Sequence, residues 1–350
     1  MQGFFVVLAV LLTPMIYQFA IVGCGRIAAR HAENIARVGK LKAVCDTVTE
    51  KADALARQYG ATAYYSIDDL LAAEKEIDVV SVCTPNGFHA EHAIKSLQHG
   101  RHVLCEKPMC ITSAAAWQMI ETEKFSRKRL FVVKSTRFNP LVQSLKNILD
   151  KKLLGQVYSF QLSCFWNRPA AYYSDWHGKE FPDGGTLYTQ FSHYIDALIW
   201  MLGDIKEVKG FAGNMAHQKV MEFEDTGVVA LKMQNDVLGT FNWSVNTYLK
   251  NYEISLTLIA EKGTICLGGA YLNEIMYQNM EGDIELLNTT SAANEYGFYN
   301  GSMSNHQEVY EQLIKALTDK EQPFTNAFDG LKTVEAIEKI YKAVTPSIPR

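Results

Sequence analysis

The stretch YQFAIVGCGRIAARH, residues 17–31, decides the fold of this chain. It starts with an apolar run of the kind found in a buried strand, and Gly23 ends that run. Beyond it, Ile27, Ile35 and Val38 recur near one face of a helix, and Gly39 is a typical helix stop. A strand, a glycine-rich turn and a helix in this order predict the first unit of a parallel α/β sheet.

The turn GCGRIA (23–28) has the spacing of a dinucleotide-binding motif. Gly23 permits a tight turn, Gly25 lets the backbone approach a pyrophosphate, and Ala28 stands where the motif has its third glycine. Asp46 follows Gly25 by about 20 residues, the spacing of an acid that binds the ribose 2′-hydroxyl and repels a 2′-phosphate. We therefore expect NAD rather than NADP. The predicted cofactor contacts here are Gly23, Gly25, Arg26, Ile27 and Asp46.

Two further loops leave the carboxyl ends of predicted strands, where open α/β sheets bind ligands. They are CTPNGFH (83–89) and CEKP (105–108). Lys107 is expected to hydrogen-bond a reacting hydroxyl and stabilise its alkoxide, while Glu106 reaches the ribose or orients the lysine. His89 is interpreted either as a cofactor contact or as the first residue of its helix. The predicted cofactor contacts in these loops are Thr84, Pro85, Asn86, His89, Glu106 and Lys107.

The pattern of elements changes after Asn139 and predicts a second domain. Up to about residue 135, strands and helices alternate, which predicts a doubly wound Rossmann sheet. Later segments read as longer strands joined by short turns, which predicts an α+β domain with a large, mostly antiparallel open sheet. We expect a Rossmann domain over 15–136 and a substrate-binding and oligomerisation domain over 137–350, with the last helix packing near the first domain. Residues 1–14, which include most of an apolar run from Phe4 to Met15, are interpreted as a mis-assigned extension, an exported or membrane-tethered form being the alternative.

The composition and net charge of the chain argue against several classes of partner. The net charge of −4 argues against nucleic acid as a partner. The seven cysteines show no metal-ligand spacing, so we expect reduced thiols, no metal site and a cytoplasmic protein. The apolar N-terminal segment is too short to span a membrane, so we expect no membrane partner. An open sheet face would need covering, so we expect a homodimer or homotetramer.

Taken together, these motifs and DGGTLYTQFSHYIDALIWMLGD (183–204) resemble the Gfo/Idh/MocA oxidoreductase family. The resemblance implies that Lys107 and His193 act on a sugar hydroxyl. The family commonly carries an aspartate where this chain has Thr189, followed here by Gln190. The UDP-N-acetylglucosaminuronate 3-dehydrogenases of the family also lack that aspartate, keep a glutamine before the histidine and share an RFNP-like segment, here residues 137–140.

The predicted substrate contacts follow from this resemblance and from side-chain chemistry. Arg137 suits an anionic substrate group, although a surface ion pair would explain it as well. The aromatic residues near Arg168 suit a sugar platform, or else packing under the sheet. His193 on its own would also fit a core histidine. The predicted substrate contacts are Arg137, Asn139, Trp166, Arg168, Tyr172, Thr189, Gln190 and His193. Gln190 is also a predicted cofactor contact.

The leading hypothesis is an NAD-dependent dehydrogenase that oxidises C3 of UDP-N-acetylglucosaminuronic acid for surface-polysaccharide synthesis. The alternative within the family is a dehydrogenase of inositol or a free sugar, whose usual aspartate is absent at Thr189. A non-catalytic NAD-binding regulator is the alternative from another class, disfavoured by the presence of both Lys107 and His193. A glycosidase with tightly bound NAD is a further alternative, usually exported by a twin-arginine signal, and residues 1–14 contain no arginine.

Overall fold

The structure is a computed structural model that describes residues 16–282, 286, 293–295, 300–303, 305–319 and 324–344. The expected extension at 1–14 lies outside the described residues. Over the part that is described, no helix has the length and apolar character needed to cross a bilayer.

The N-terminal domain is built on a parallel sheet, as the alternating pattern predicts. Within the described residues it has six strands in the order β3-β2-β1-β4-β5-β6. The strands are β1 (Tyr17–Val22), β2 (Gly39–Cys45), β3 (Thr62–Tyr64), β4 (Val79–Val82), β5 (His102–Cys105) and β6 (Leu130–Val132). The helices between them are α1 (Ala28–Val38), α2 (Thr49–Tyr59), α3 (Ile67–Ala73), α4 (His89–Gln98) and α5 (Ser113–Ser126).

Local chemistry sets the ends of these helices. Gly39 follows the last residue of α1, as predicted. Gly60 ends α2 with a positive φ of 65°, which costs glycine little. The hydroxyls of Ser66 and Thr112 accept hydrogen bonds from backbone N–H groups in the first turns of α3 and α5.

The second domain contains a larger sheet. In the portion of the chain described, it has seven strands in the order β13-β12-β11-β7-β10-β9-β8, antiparallel except for the parallel pair β7 and β10. The strands are β7 (Val157–Phe165), β8 (Ile205–Gly213), β9 (Thr226–Met233), β10 (Leu238–Ser244), β11 (Glu253–Ala260), β12 (Gly263–Gly268) and β13 (Glu274–Met280). A small hairpin adds β14 (Ala293–Glu295) and β15 (Asn300–Met303). The helices are α6 (Pro140–Asp150), α7 (Glu180–Asp183), α8 (Ser192–Leu202), α9 (His306–Thr318) and α10 (Ala327–Val344).

Two helices from the end of the chain return to the first domain. The backbone N–H of Ser113, at the start of α5, donates to the Glu338 carboxylate of α10. On α9, the ring of Tyr310 lies 5.9 Å from that of Phe19 in β1. One apolar core runs without a break from the first sheet into the second domain. The two domains are therefore held together by a shared core, and the cleft between them is bordered by buried elements.

Candidate active site

A large cavity lies at the carboxyl ends of the first sheet's strands, facing the second domain. Its volume is about 1020 Å³, and both domains contribute to its wall. This is the edge at which open α/β sheets bind ligands. The wall includes nearly all the predicted contacts, namely Gly23, Gly25, Arg26, Ile27, Asp46, Thr84, Pro85, Asn86, His89, Glu106, Lys107, Trp166, Arg168, Tyr172, Thr189, Gln190 and His193.

The two glycines of the first turn are required for different reasons. Gly23 has a φ of 95°, and a Cβ there would lie 2.6 Å from the backbone of Cys83. At Gly25, no described atom lies within 4 Å of the position that a Cβ would take, so the space beside it is open for a ligand. Asp46 accepts hydrogen bonds from the backbone N–H groups of Cys24 (2.7 Å) and Val48 (2.8 Å), which fix its carboxylate beside the turn. The turn, the helix N-terminus and Asp46 thus fit a dinucleotide.

Lys107 reaches across the cleft to the second domain. Its Nζ donates to the backbone carbonyl oxygen of Thr189 at 2.8 Å. Thr189 lies in a π-helical turn, Leu187–Phe191, that leads directly into α8. Such turns are rare and recur at functional sites. His193, the second residue of α8, lines the same cavity as Lys107.

Burial is the main influence on the protonation states of Lys107 and His193. Burial lowers the pKa of Lys107 to about 8. The negative charge of Glu106 opposes this shift, and the positive charge of Arg168 adds to it. Burial, followed by the positive charge of Lys107, also holds the pKa of His193 well below its ordinary value. Near neutral pH, His193 is therefore an uncharged imidazole that can accept a proton, and most Lys107 side chains are protonated donors.

Glu106 belongs to a buried hydrogen-bond network. Its Oε1 contacts His31 Nε2 (2.9 Å) and His306 Nε2 (3.1 Å), and its Oε2 accepts from the backbone N–H of Lys107 (3.0 Å). Burial alone would raise the pKa of Glu106, but the hydrogen bonds from both histidines hold it well below its usual range. The same three side chains lie close enough together to hold a metal ion, a grouping that the sequence did not predict. Their hydrogen bonds are those of a carboxylate between two histidines.

The loop after β4 is held by its own side chains. His89 begins α4, and its ring nitrogens contact the carbonyl oxygens of Pro108 and Thr84, both at 2.7 Å. The helix-start interpretation of His89 is therefore confirmed, although the residue also borders the cavity. Asn86 Nδ2 donates across the cleft to the Asp183 carbonyl and the Thr189 hydroxyl, each at 2.7 Å.

The far end of the cavity is polar and aromatic. Arg168 is buried, and its Nε donates to the Gln190 side-chain oxygen at 2.7 Å. The Gln190 amide nitrogen donates to the Tyr172 hydroxyl at 2.9 Å. The Arg168 guanidinium also lies 4.7 Å from the centre of the Trp166 ring. Trp166 packs against Phe191 as well, so its aromatic-packing interpretation holds beside its place in the wall.

Two predicted substrate contacts, Arg137 and Asn139, do not lie in the cavity wall. Arg137 makes a two-point contact with Asp196 (2.8 and 2.9 Å) and a further bond to Asp329 (2.9 Å). Its charge is neutralised by these carboxylates. Asn139 is the N-cap of α6, its Oδ1 accepting from the Leu141 N–H at 3.0 Å. It has a structural role at a helix start.

The structure also brings in residues that the sequence did not single out. Asp183 is buried beside Thr189. Asp175 contacts the His177 ring and also pairs with Arg26 across the cleft at 3.3 Å. In the sequence, Asp175 and His177 stand out only as part of the short segment DWHG (175–178), and Asp183 only as the start of the DGG segment.

Comparisons with known proteins define the class. Residues 17–134 match the NAD-binding Rossmann fold of the GFO/IDH/MocA oxidoreductase family. Residues 142–266 match the GFO/IDH/MocA C-terminal domain. The chain is therefore an NAD-dependent oxidoreductase that acts on CH–OH groups.

It belongs to the Gfo/Idh/MocA family. The WlbA dehydrogenase from Chromobacterium violaceum, crystallised with NADH and UDP-GlcNAcA, is 32% identical, with a TM-score of 0.86 and coverage of 94% of both chains. The WlbA dehydrogenase from Bordetella pertussis, with the same ligands, is 32% identical, with a TM-score of 0.85 and coverage of 95% of this chain and 98% of that one. D-glucoside 3-dehydrogenase from Escherichia coli is 33% identical over 187 residues, 53% of each protein.

Proposed function

We propose that this enzyme oxidises a sugar hydroxyl, namely that at C3 of UDP-N-acetylglucosaminuronic acid, with NAD as the hydride acceptor. The observation that carries the chemistry is that Lys107 and an uncharged His193, from different domains, line one cavity beside the dinucleotide turn. The substrate assignment is supported by the likeness to the two WlbA dehydrogenases over nearly the whole chain. A role in surface-polysaccharide synthesis is part of the same proposal.

In this proposal His193 and Lys107 have different roles at the sugar hydroxyl. His193 accepts the proton of the sugar hydroxyl, because its imidazole is neutral near pH 7. The Lys107 ammonium donates a hydrogen bond to the same oxygen and stabilises the charge that develops on it. The bound NAD supplies the hydride acceptor. The glycine turn and Asp46 hold the dinucleotide.

Charge in the far end of the cavity supports an anionic substrate. Arg168, which is buried, and Lys107, which is partly buried, are both cations that border the cavity. A planar guanidinium binds a carboxylate or phosphate through parallel hydrogen bonds. Arg168 therefore takes the role that the sequence suggested for Arg137, that of binding the uronate or diphosphate group. Gln190 and Tyr172 hold this arginine in place through the hydrogen-bonded chain that joins them.

The test is NAD reduction, followed by NADH absorbance, with UDP-N-acetylglucosaminuronic acid as substrate. UDP-N-acetylglucosamine, inositol and glucose serve as competing substrates. We expect turnover of the uronate alone, and its loss in Lys107→Ala and His193→Ala, each falling by about a hundredfold or more. The matched control is Lys206→Ala, which removes an exposed lysine paired only with Asp236 among the described contacts. Turnover of inositol or glucose instead would contradict the substrate, and NAD binding without any turnover would favour a regulator.

The outer face of the second sheet supports a homo-oligomer as part of the proposal. Large apolar side chains on this face are exposed, including Phe211 at 72% and Leu238 at 57%. Phe211 also sits opposite the exposed Val228 across β8 and β9. Exposed apolar side chains that neighbour each other on a sheet face favour contact between subunits. Light scattering is expected to show a dimer or tetramer. A monomer at micromolar concentration would contradict the proposed homo-oligomer.

A further inference from the structure

Asp183 is a buried carboxylate that the proposed reaction does not use directly. It ends α7, and the next two residues, Gly184 and Gly185, have φ values of 91° and 130°. Its exposed fraction is 1%. Its Oδ2 accepts from the backbone N–H of Gly178 at 2.7 Å, and its Oδ1 accepts from the Thr189 hydroxyl. A buried ionisable group held on both oxygens has a fixed position.

Thr189 joins this carboxylate to Lys107. The threonine hydroxyl donates to Asp183, and the threonine carbonyl accepts from Lys107 Nζ at 2.8 Å. Asn86 contacts both residues, since its Nδ2 donates to the Asp183 backbone carbonyl oxygen and to the Thr189 hydroxyl. The position of the Lys107 ammonium therefore depends on a residue that the lysine does not contact.

Lys107 and Asp183 also interact through their charges. Lys107 is faced by Glu106 and Asp183, whose negative charges raise its pKa, and by Arg168 and Lys134, whose positive charges lower it. Burial raises the pKa of Asp183 to about 7, while hydrogen bonds from Thr189, Gly178 and Gly185 and the charge of Lys107 oppose that rise. Removing the Asp183 charge thus takes away one of two carboxylates that favour the ammonium form of Lys107.

We propose that Asp183 is a positioning residue for Lys107: it anchors the π-helical turn through the Thr189 hydroxyl and supports the charged form of the lysine. This inference rests on the proposed function, since it assumes that Lys107 works as a donor. A merely structural Asp183 would stabilise the loop at Gly178 and leave the ionisation of Lys107 unchanged. The two roles therefore differ in their effect on the pH dependence of turnover.

The experiment measures kcat, KM and NAD affinity of the full chain against pH for Asp183→Asn, Thr189→Val and Thr189→Ser. With Lys107 as a required donor, turnover falls as pH rises through the lysine's pKa. Asp183→Asn is expected to move that fall about one pH unit lower and to reduce kcat about tenfold, with NAD affinity unchanged. Thr189→Val is expected to reduce kcat in the same way, whereas Thr189→Ser keeps the hydroxyl and the wild-type pH profile. Asp236→Asn, at an exposed aspartate, is the matched control.

The outcomes separate this inference from the proposed function. If Lys107→Ala stays active, the proposed role of Lys107 fails, whatever Asp183→Asn does. If Lys107→Ala is inactive and Asp183→Asn keeps the wild-type kcat and pH profile, the positioning role of Asp183 is refuted. If Asp183→Asn does not fold, Thr189→Val decides: a tenfold fall in kcat with normal NAD affinity supports the inference, and an unchanged kcat overturns it. In a double-mutant cycle, the effects of the two changes should be less than additive.

Discussion

Replacing Asp196 by asparagine should destabilise the protein more than any change to a surface charge. Asp196 lies on α8, three residues after His193, and is 1% exposed. It contacts Lys134 Nζ at 2.8 Å and both the Nε and the Nη2 of Arg137. The Thr333 hydroxyl donates to it at 2.9 Å. Asparagine has nearly the same shape, so the change removes the charge with little loss of packing.

Two arguments give the size of the effect. Removing one partner of a buried ion pair leaves an uncompensated charge, here that of Lys134, and costs about 3–5 kcal/mol. Independently, burial alone would raise the pKa of Asp196, but Lys134 and Arg137 outweigh it and lower the pKa from 3.8 to about 2. One pKa unit is about 1.4 kcal/mol, so the ionised form gains about 2–3 kcal/mol on folding. We therefore expect Asp196→Asn to lower the free energy of unfolding by about 3 kcal/mol.

Urea unfolding followed by tryptophan fluorescence measures this difference. Because the pKa is lowered in the folded state, the contribution of Asp196 is complete above the unfolded pKa. It is lost as pH falls through the folded value of about 2. The deficit of the variant should therefore be constant near neutral pH and shrink in strong acid. The control is Asp204→Asn, whose half-exposed pair with Lys332 (3.2 Å) is expected to be worth under about 1 kcal/mol. A deficit for Asp196→Asn no larger than that of the control would refute the reasoning.

Three further predictions concern the two glycines of the cofactor turn and a buried acid. Gly23→Ala should lower the free energy of unfolding by about 2 kcal/mol, because its Cβ meets the Cys83 backbone at 2.6 Å. Gly25→Val should instead keep the melting temperature and weaken NAD binding about tenfold or more, measured by calorimetry, because only ligand space is filled. Burial raises the pKa of Glu224 to about 8, so wild-type stability should fall as pH rises toward that value. Glu224→Gln should lack this fall in urea unfolding across pH; equal pH profiles would contradict the prediction.

Short-range signals predicted the first domain well. The run before Gly23, the helix spacing after it and Gly39 as the stop are local features, and β1 and α1 end where these residues predict. The parallel order of the strands follows from the alternation of strands and helices together with right-handed crossovers. Asp46 lies beside the glycine turn, as its spacing predicts.

The two predicted contacts that lie outside the cavity wall, Arg137 and Asn139, differ in what the sequence shows about them. Asn139 precedes Pro140 at the start of a predicted helix, which is a typical N-cap followed by proline in the first turn, so a local signal indicates its capping role. Arg137 differs. One of its partners, Asp329, is 192 residues away along the chain, and no spacing rule brings the two together. The same holds for His306, which reaches Glu106 from 200 residues away.

Contacts between the two domains bring Lys107 and His193 together. Local sequence patterns therefore could not predict the relative position of these two side chains. Lys107 follows β5 of the first sheet, yet the Thr189 carbonyl that its ammonium contacts belongs to the second domain. His193 belongs to α8, yet that helix is tied to the end of the first sheet through Asp196 and Lys134. Each proposed catalytic group is thus positioned by the domain that does not contain it. Changes at this interface should therefore impair turnover before they impair NAD binding, because the dinucleotide turn and Asp46 lie wholly within the first domain.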